Sequence, residues 1–149
     1  MDFFETVNEA MKQAMKARER ERLEALKGIK KEFLEAKTAP GANNELPDDK
    51  ALAILVRMAK QRKESAQIYK DNGRDDLAAG ELTELAVIEE FLPKTLTPEE
   101  LEAELKAIIA ETGATSPKEM GKVMGVATKR LAGRADGKAI SAKVKELLN

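Results

Sequence analysis

The eleven residues Glu90-Phe91-Leu92-Pro93-Lys94-Thr95-Leu96-Thr97-Pro98-Glu99-Glu100 decide how this chain is organised. Ahead of Pro93, Leu82, Leu85, Ile88 and Leu92 repeat at three and four residues, the period of one helix stripe. Pro93 ends that stripe, because proline cannot extend the hydrogen-bond ladder and disfavours helix in the residue before it. Further on, Thr97 offers a hydroxyl N-cap, Pro98 suits the first helical position, and Glu100 can reach back to the cap. The spacing predicts an all-α chain in two pieces: a four-helix bundle over 1–93 and a smaller three-helix module over 97–149. A module of about 50 residues is marginal for an independent core, so it is expected to lean on its neighbour or on a partner.

Working outward, the same period recurs nearly everywhere. Phe4, Val7, Met11 and Ala14 form one stripe, and Leu23, Leu26, Ile29 and Phe33 another. Leu101, Leu105 and Ile108, then Met120, Val123, Ala127 and Leu131, then Ile140, Val144 and Leu148 mark three more. No segment alternates like a strand. Between Met15 and Leu23 no large apolar residue occurs, and a bend is expected near Ala17–Arg20. Ser116-Pro117-Lys118-Glu119 repeats the capping pattern of Thr97, and Asp48 and Asp136 are further expected caps. Gly73, Gly113 and Gly133 fall where helices end.

Composition mostly excludes. The 149 residues include no Cys and no His, which removes disulfides, thiolate chemistry, zinc sites and Ser-His-Asp triads. No metal or cofactor is expected. The N-terminus carries Asp2 and Glu5 where a secretory signal would carry basic residues, and no apolar run nears the ~20 residues of a membrane span. A cytoplasmic protein with no membrane partner is the expectation.

Charge is nearly balanced overall, at 26 Lys+Arg against 27 Asp+Glu, yet it is unevenly placed. From Lys118 to Lys145 the cations are Lys118, Lys122, Lys129, Arg130, Arg134, Lys138, Lys143 and Lys145, against Glu119 and Asp136. From Glu99 to Glu111 five glutamates face only Lys106. Concentrated positive charge attracts polyanions, and a solvated helix face balanced by the acidic helix is the competing reading. All five aromatic residues precede residue 95, so the C-terminal module has no ring on which a base could stack. A nucleic-acid partner is therefore expected to be folded and gripped by its backbone. Gly121 and Gly125 lie four apart, a spacing expected to admit a neighbouring helix rather than a ligand. Gly133-Arg134-Ala135-Asp136-Gly137-Lys138 reads equally as a turn and as an anion contact.

A second polar region runs Lys60-Gln61-Arg62-Lys63-Glu64-Ser65, then Tyr69, then Gly73-Arg74-Asp75-Asp76. Arg62 is expected to reach Glu81 or Glu84 on the next helix in an ion-pair network, rather than to build a ligand site.

These motifs, with Phe91-Leu92-Pro93, Lys118-Glu-Met-Gly-Lys-Val-Met-Gly125 and Gly133-Arg-Ala-Asp-Gly-Lys138, resemble those of the YqeY proteins over essentially the whole chain. That family is similar to the C-terminal tail domain of GatB, a subunit of the bacterial glutamyl-tRNA(Gln)/aspartyl-tRNA(Asn) amidotransferase. Glu119 stands where the family pattern has Asp, and Glu24 where it tends to carry a basic residue. The resemblance implies an all-helical, two-part fold and a link to tRNA and glutamine-dependent carbon–nitrogen ligation. It implies no catalytic residue here, since nothing in the chain looks like the amidotransferase's catalytic cradle.

The leading expectation is a non-catalytic tRNA-binding protein whose contacts are Lys118, Lys122, Lys129, Arg130, Arg134, Lys138 and Lys143. A tRNA-amidation or aminoacylation enzyme is the expected protein partner. The alternatives are an adaptor docking onto a larger enzyme, and an enzyme acting through Arg62, Tyr69 and Arg74.

Overall fold

Helix pervades the chain because Ala, Leu, Glu and Lys are strong helix formers and the apolar positions keep one face. The computed structural model describes residues 2–149. It has seven α-helices: α1 Phe3–Lys16, α2 Arg20–Lys37, α3 Asp48–Asp71, α4 Asp75–Glu89, α5 Pro98–Thr112, α6 Met120–Arg130 and α7 Gly137–Leu148. A single 3-10 turn, Pro117–Glu119, leads into α6, and no strand occurs among the described residues. The chain forms two compact units, Met1–Leu92 and Pro93–Asn149. Among the described residues no helix is long and apolar enough to cross a membrane.

In the first unit α1 lies on α2, α2 on α3 and α4, and α3 runs along α4. The core gathers one stripe from each helix: Val7 of α1, Leu26, Ile29 and Phe33 of α2, Leu55 of α3, and Ile88 of α4 are almost wholly buried. On α3 this cluster stops at Ala59. Beyond it only Ala66 and, across on α4, Ala78 are buried, small residues that let two helices approach closely.

α1 and α2 part at Ala17–Glu19, where no large apolar side chain ties the chain to the core. The N–H of Arg18 donates to the Met15 carbonyl at 3.2 Å and that of Glu19 to Ala14 at 2.9 Å, closing a Schellman end. Arg18 takes the left-handed position at φ 58°. α3 ends identically, with Gly73 at φ 72° and Arg74 N–H donating to Tyr69 at 2.8 Å.

In the second unit α5, α6 and α7 all touch one another. Leu105 and Ile108, Val123, Ala127 and Leu131, and Ile140 and Val144 meet in a core with no aromatic ring. The entry is pinned twice. Thr97 Oγ1 accepts from Glu100 N–H at 3.1 Å, while Glu100 Oε1 accepts from Thr97 N–H at 3.2 Å. Leu96 N–H donates to the Arg134 carbonyl at 2.8 Å. Asp136 caps α7, accepting from Lys138 N–H at 3.2 Å.

Two expected caps differ. Ser116 makes no side-chain cap bond, because the following turn is 3-10 and the Ser116 carbonyl already takes the Glu119 N–H at 3.0 Å. Glu119 instead accepts from Thr115 N–H. Asp48 is the first residue of α3, after Pro47, and acts through its charge at the helix N-terminus rather than as a cap.

A left-handed arginine is strained where glycine is not. Arg18→Gly is expected to stabilise the protein by about 0.5–1 kcal/mol, read as a higher urea midpoint at an unchanged m-value. An unchanged or lower midpoint contradicts it.

Candidate nucleic-acid interface

Residues seven apart on an α-helix differ in direction by only about 20°. On α6 the buried stripe is Val123 and Ala127, continued by Leu131 just past the helix end. The opposite side carries Lys122 and Lys129, both exposed, with exposed Gly125 between them. Exposed Lys118 stands one turn earlier, in the 3-10 turn. Gly121 is exposed as well, and a Cβ placed on Gly121 or Gly125 would meet no atom within 4 Å. The spacing of these glycines suggested a seat for a packed helix. No helix of this unit sits there, because α5 and α7 take the Val123–Ala127 side and leave the glycine side open.

On α7 the buried line is Ile140, Val144 and Leu148. Exposed Lys138 and Lys145 share one flank, seven residues apart. Lys143, two residues from Lys145, points about 160° away from it, is half-buried, and pairs with Glu146 at 3.4 Å. Arg130 pairs with Glu111 of α5 at 2.7 Å. Arg134 is half-buried in the loop that receives Leu96. Of the seven candidate contacts, Arg130 and Lys143 are thus engaged with acids. The other five, Lys118, Lys122, Lys129, Arg134 and Lys138, have no carboxylate within 4.0 Å among the described residues. Lys145 has none either, and its heptad spacing from Lys138 puts the two on one flank of α7.

Two acids of α5, Glu100 and Glu111, are held in their charged form. Hydrogen bonds from the Thr97 backbone and hydroxyl keep the Glu100 carboxyl below its ordinary range, helped by nearby Lys94 and Arg134. The Arg130 guanidinium lowers the Glu111 carboxyl, and Arg130 in turn is raised by its bond to Glu111. None of this chemistry exchanges protons near neutral pH.

The second polar region closes on itself within the first unit. Arg62 Nη1 donates to Glu84 Oε2 at 2.9 Å, and Arg62 Nε lies 3.0 Å from Glu81 Oε2. That second contact is an ion pair without hydrogen-bond alignment, and both of its atoms are shielded from water with no other partner. Arg74 is taken up by Asp76 at 3.2 Å. Arg62 therefore ties α3 to α4, as expected of an interhelix network, and bridges both carboxylates rather than one. Sequence gave no sign of two other ties. Arg22 pairs with Glu90, and Lys37 Nζ lies 4.0 Å from the centre of the Phe4 ring.

A helical protein with a cation-bearing, ring-free C-terminal unit is the class this structure defines. The family model described as Yqey-like protein matches residues 4–148, and the chain belongs to that family. No curated protein matches it.

Two expectations follow. Arg62→Ala leaves Glu81 shielded without its counter-charge and should destabilise the protein by about 1–3 kcal/mol in urea unfolding; a change under about 0.5 kcal/mol refutes the tie. Glu111, with its carboxyl lowered in the folded state, adds stability that is full above the ordinary carboxylate pKa and is lost as pH falls through the depressed one. NMR titration should find the Glu111 pKa below its ordinary value and rising in Arg130→Ala.

Proposed function

We propose that this chain is a non-catalytic tRNA-binding protein, built as a four-helix bundle over 1–93 and a three-helix module over 97–149. It works in the cytoplasm beside a tRNA-amidation or aminoacylation enzyme, as the likeness of its motifs to the GatB tail domain suggests. The observation that carries this reading is the set of five cations with no carboxylate within 4.0 Å on a unit that has no aromatic ring. Such a surface favours phosphates over bases. Double-helical tRNA stems present phosphates at regular spacing and need no stacking platform.

A second reading, a protein-interaction adaptor, draws on exposed apolar side chains in the first unit, where Met15 is 63% and Ile68 59% exposed. Protein partners recovered in a pull-down after nuclease treatment would favour it.

Filter binding of total tRNA over a salt series separates the two. Five phosphates neutralised give a slope of log K against log salt near −4 to −5, at about 0.9 per contact. Lys122→Ala/Arg134→Ala/Lys138→Ala should flatten that slope by two to three contacts' worth. An unaltered affinity and slope in this variant overturn the proposed surface.

A further inference from the structure

We infer that the outer seam between α1 and α2 receives an acidic amphipathic helix of a partner protein, its apolar stripe on Phe4, Met11, Met15, Leu23 and Leu34 and its carboxylates on Lys30 and Lys37. The seam belongs to the first unit, and the inference stands without the tRNA reading. At about 100° per residue, Phe4, Met11 and Met15 fall on one flank of the buried Val7 line of α1. Leu23, Lys30, Leu34 and Lys37 fall on one flank of the buried Leu26–Phe33 line of α2. These two flanks face each other, because Lys37 Nζ lies 4.0 Å and Lys30 Nζ 5.9 Å from the centre of the Phe4 ring. α3 and α4 take the opposite flank of α2, where Glu32 meets Arg57 and Arg22 meets Glu90. The outer seam is therefore left open: Met15 is 63% and Leu34 41% exposed, and Phe4, Met11 and Leu23 are half-buried. From Phe4 to Met15 the row runs about 16 Å, three turns of helix.

Single exposed apolar side chains are ordinary on a protein surface, but a row of them along the groove between two helices is the seat of a third. Methionine suits such a seat, being unbranched and adaptable. The charge along the row says which helix. Lys30 and Lys37 are half-buried, their stems lying on the seam, and neither has a carboxylate within 4.0 Å among the described residues. Lys37 holds the close position over Phe4, and Lys30 is left at the limit of about 6 Å at which a ring attracts a cation. Four acids of α1 and α2 are engaged elsewhere. Glu5 accepts from Asp2 N–H at 3.2 Å and Glu9 from Gln13 Nε2 at 3.0 Å, while Glu24 pairs with Lys27 at 3.3 Å and Glu32 with Arg57 at 2.7 Å. An occupant with carboxylates beside an apolar stripe complements both features of the seam at once. A nucleic-acid strand offers no aliphatic stripe. A bilayer is flat, where this seam is a groove with its lysines folded over Phe4 inside it.

The experiment uses the full chain and two designed helical peptides of about 18 residues, five turns each. One carries leucine at i, i+4, i+7 and i+11 between glutamates, and the other has lysines in place of the glutamates. The glutamate peptide should bind, shifting the NMR signals of the Met11, Met15, Leu23 and Leu34 methyls, and should weaken as salt rises. Met15→Glu should weaken that binding by about tenfold or more. Lys30→Glu/Lys37→Glu should do the same and gain the lysine peptide, a swap that a misfolded variant does not show. Lys122→Ala/Arg134→Ala/Lys138→Ala, in the second unit, should leave peptide binding unchanged. No binding of the glutamate peptide, equal binding of both peptides, or full affinity in the Met15 and Lys30/Lys37 variants overturns the inference. Vesicles of phosphatidylserine and phosphatidylcholine that shift these methyls when the glutamate peptide does not would assign the seam to lipid and also overturn it.

Discussion

The second unit depends on a single constraint: three short helices must bury a core without aromatic rings. Aliphatic side chains cover less area each, so nearly every apolar position has to face inward. Val123 and Ala127 on α6, Leu131 just past its end, and Ile140, Val144 and Leu148 on α7 do so with almost no exposure. Met120, Met124 and Val126 on α6 and Leu147 on α7 border that core, only partly buried. The cations of α6 and α7 are therefore driven to the remaining side, and the charged surface is a consequence of the packing as much as of composition.

The same constraint sorts the charges. α5 carries its glutamates beside α6, yet only Glu111 takes a cation of the candidate set. Glu100 is spent on its own capping box, and Glu102 lies 3.7 Å from Lys106 on the same helix. Two of the five α5 glutamates are thus engaged within α5, while Glu104 joins Glu111 in acting on Arg130 of α6. Each of the five side chains with a shifted pKa, Arg22, Asp76, Glu100, Glu111 and Arg130, is moved deeper into its charged form by a hydrogen-bond partner. General acid–base work needs groups poised near neutrality.

Much of this was legible because it is local. Helix period, the Thr97 box, the Asp136 cap and the left-handed glycines are set by residues within a few positions of one another. The break after Lys16 was legible for the complementary reason, since a stretch with no apolar face gains nothing from staying helical against a core. The Ser116 box failed because backbone geometry, not residue type, decides where N3 points, and a 3-10 turn moves it. Arg22–Glu90 spans 68 residues and Lys37–Phe4 joins two helices, so no spacing rule reaches either. The open side of α6 needed coordinates for another reason: sequence shows Gly121 and Gly125 on one face, but not whether that face is covered.

Small residues on these helices are buried in some places and open in others. Ala66 and Ala78 are small because α3 and α4 press together there, and the Arg62 bridge to Glu81 and Glu84 holds that hairpin where the larger core has run out. Gly121 and Gly125 are small with nothing pressed against them. A small residue under a neighbour is explained by that neighbour. A small residue with nothing against it has no such explanation, and Gly28 on α2 and Gly80 on α4 share that openness with Gly121 and Gly125 on α6.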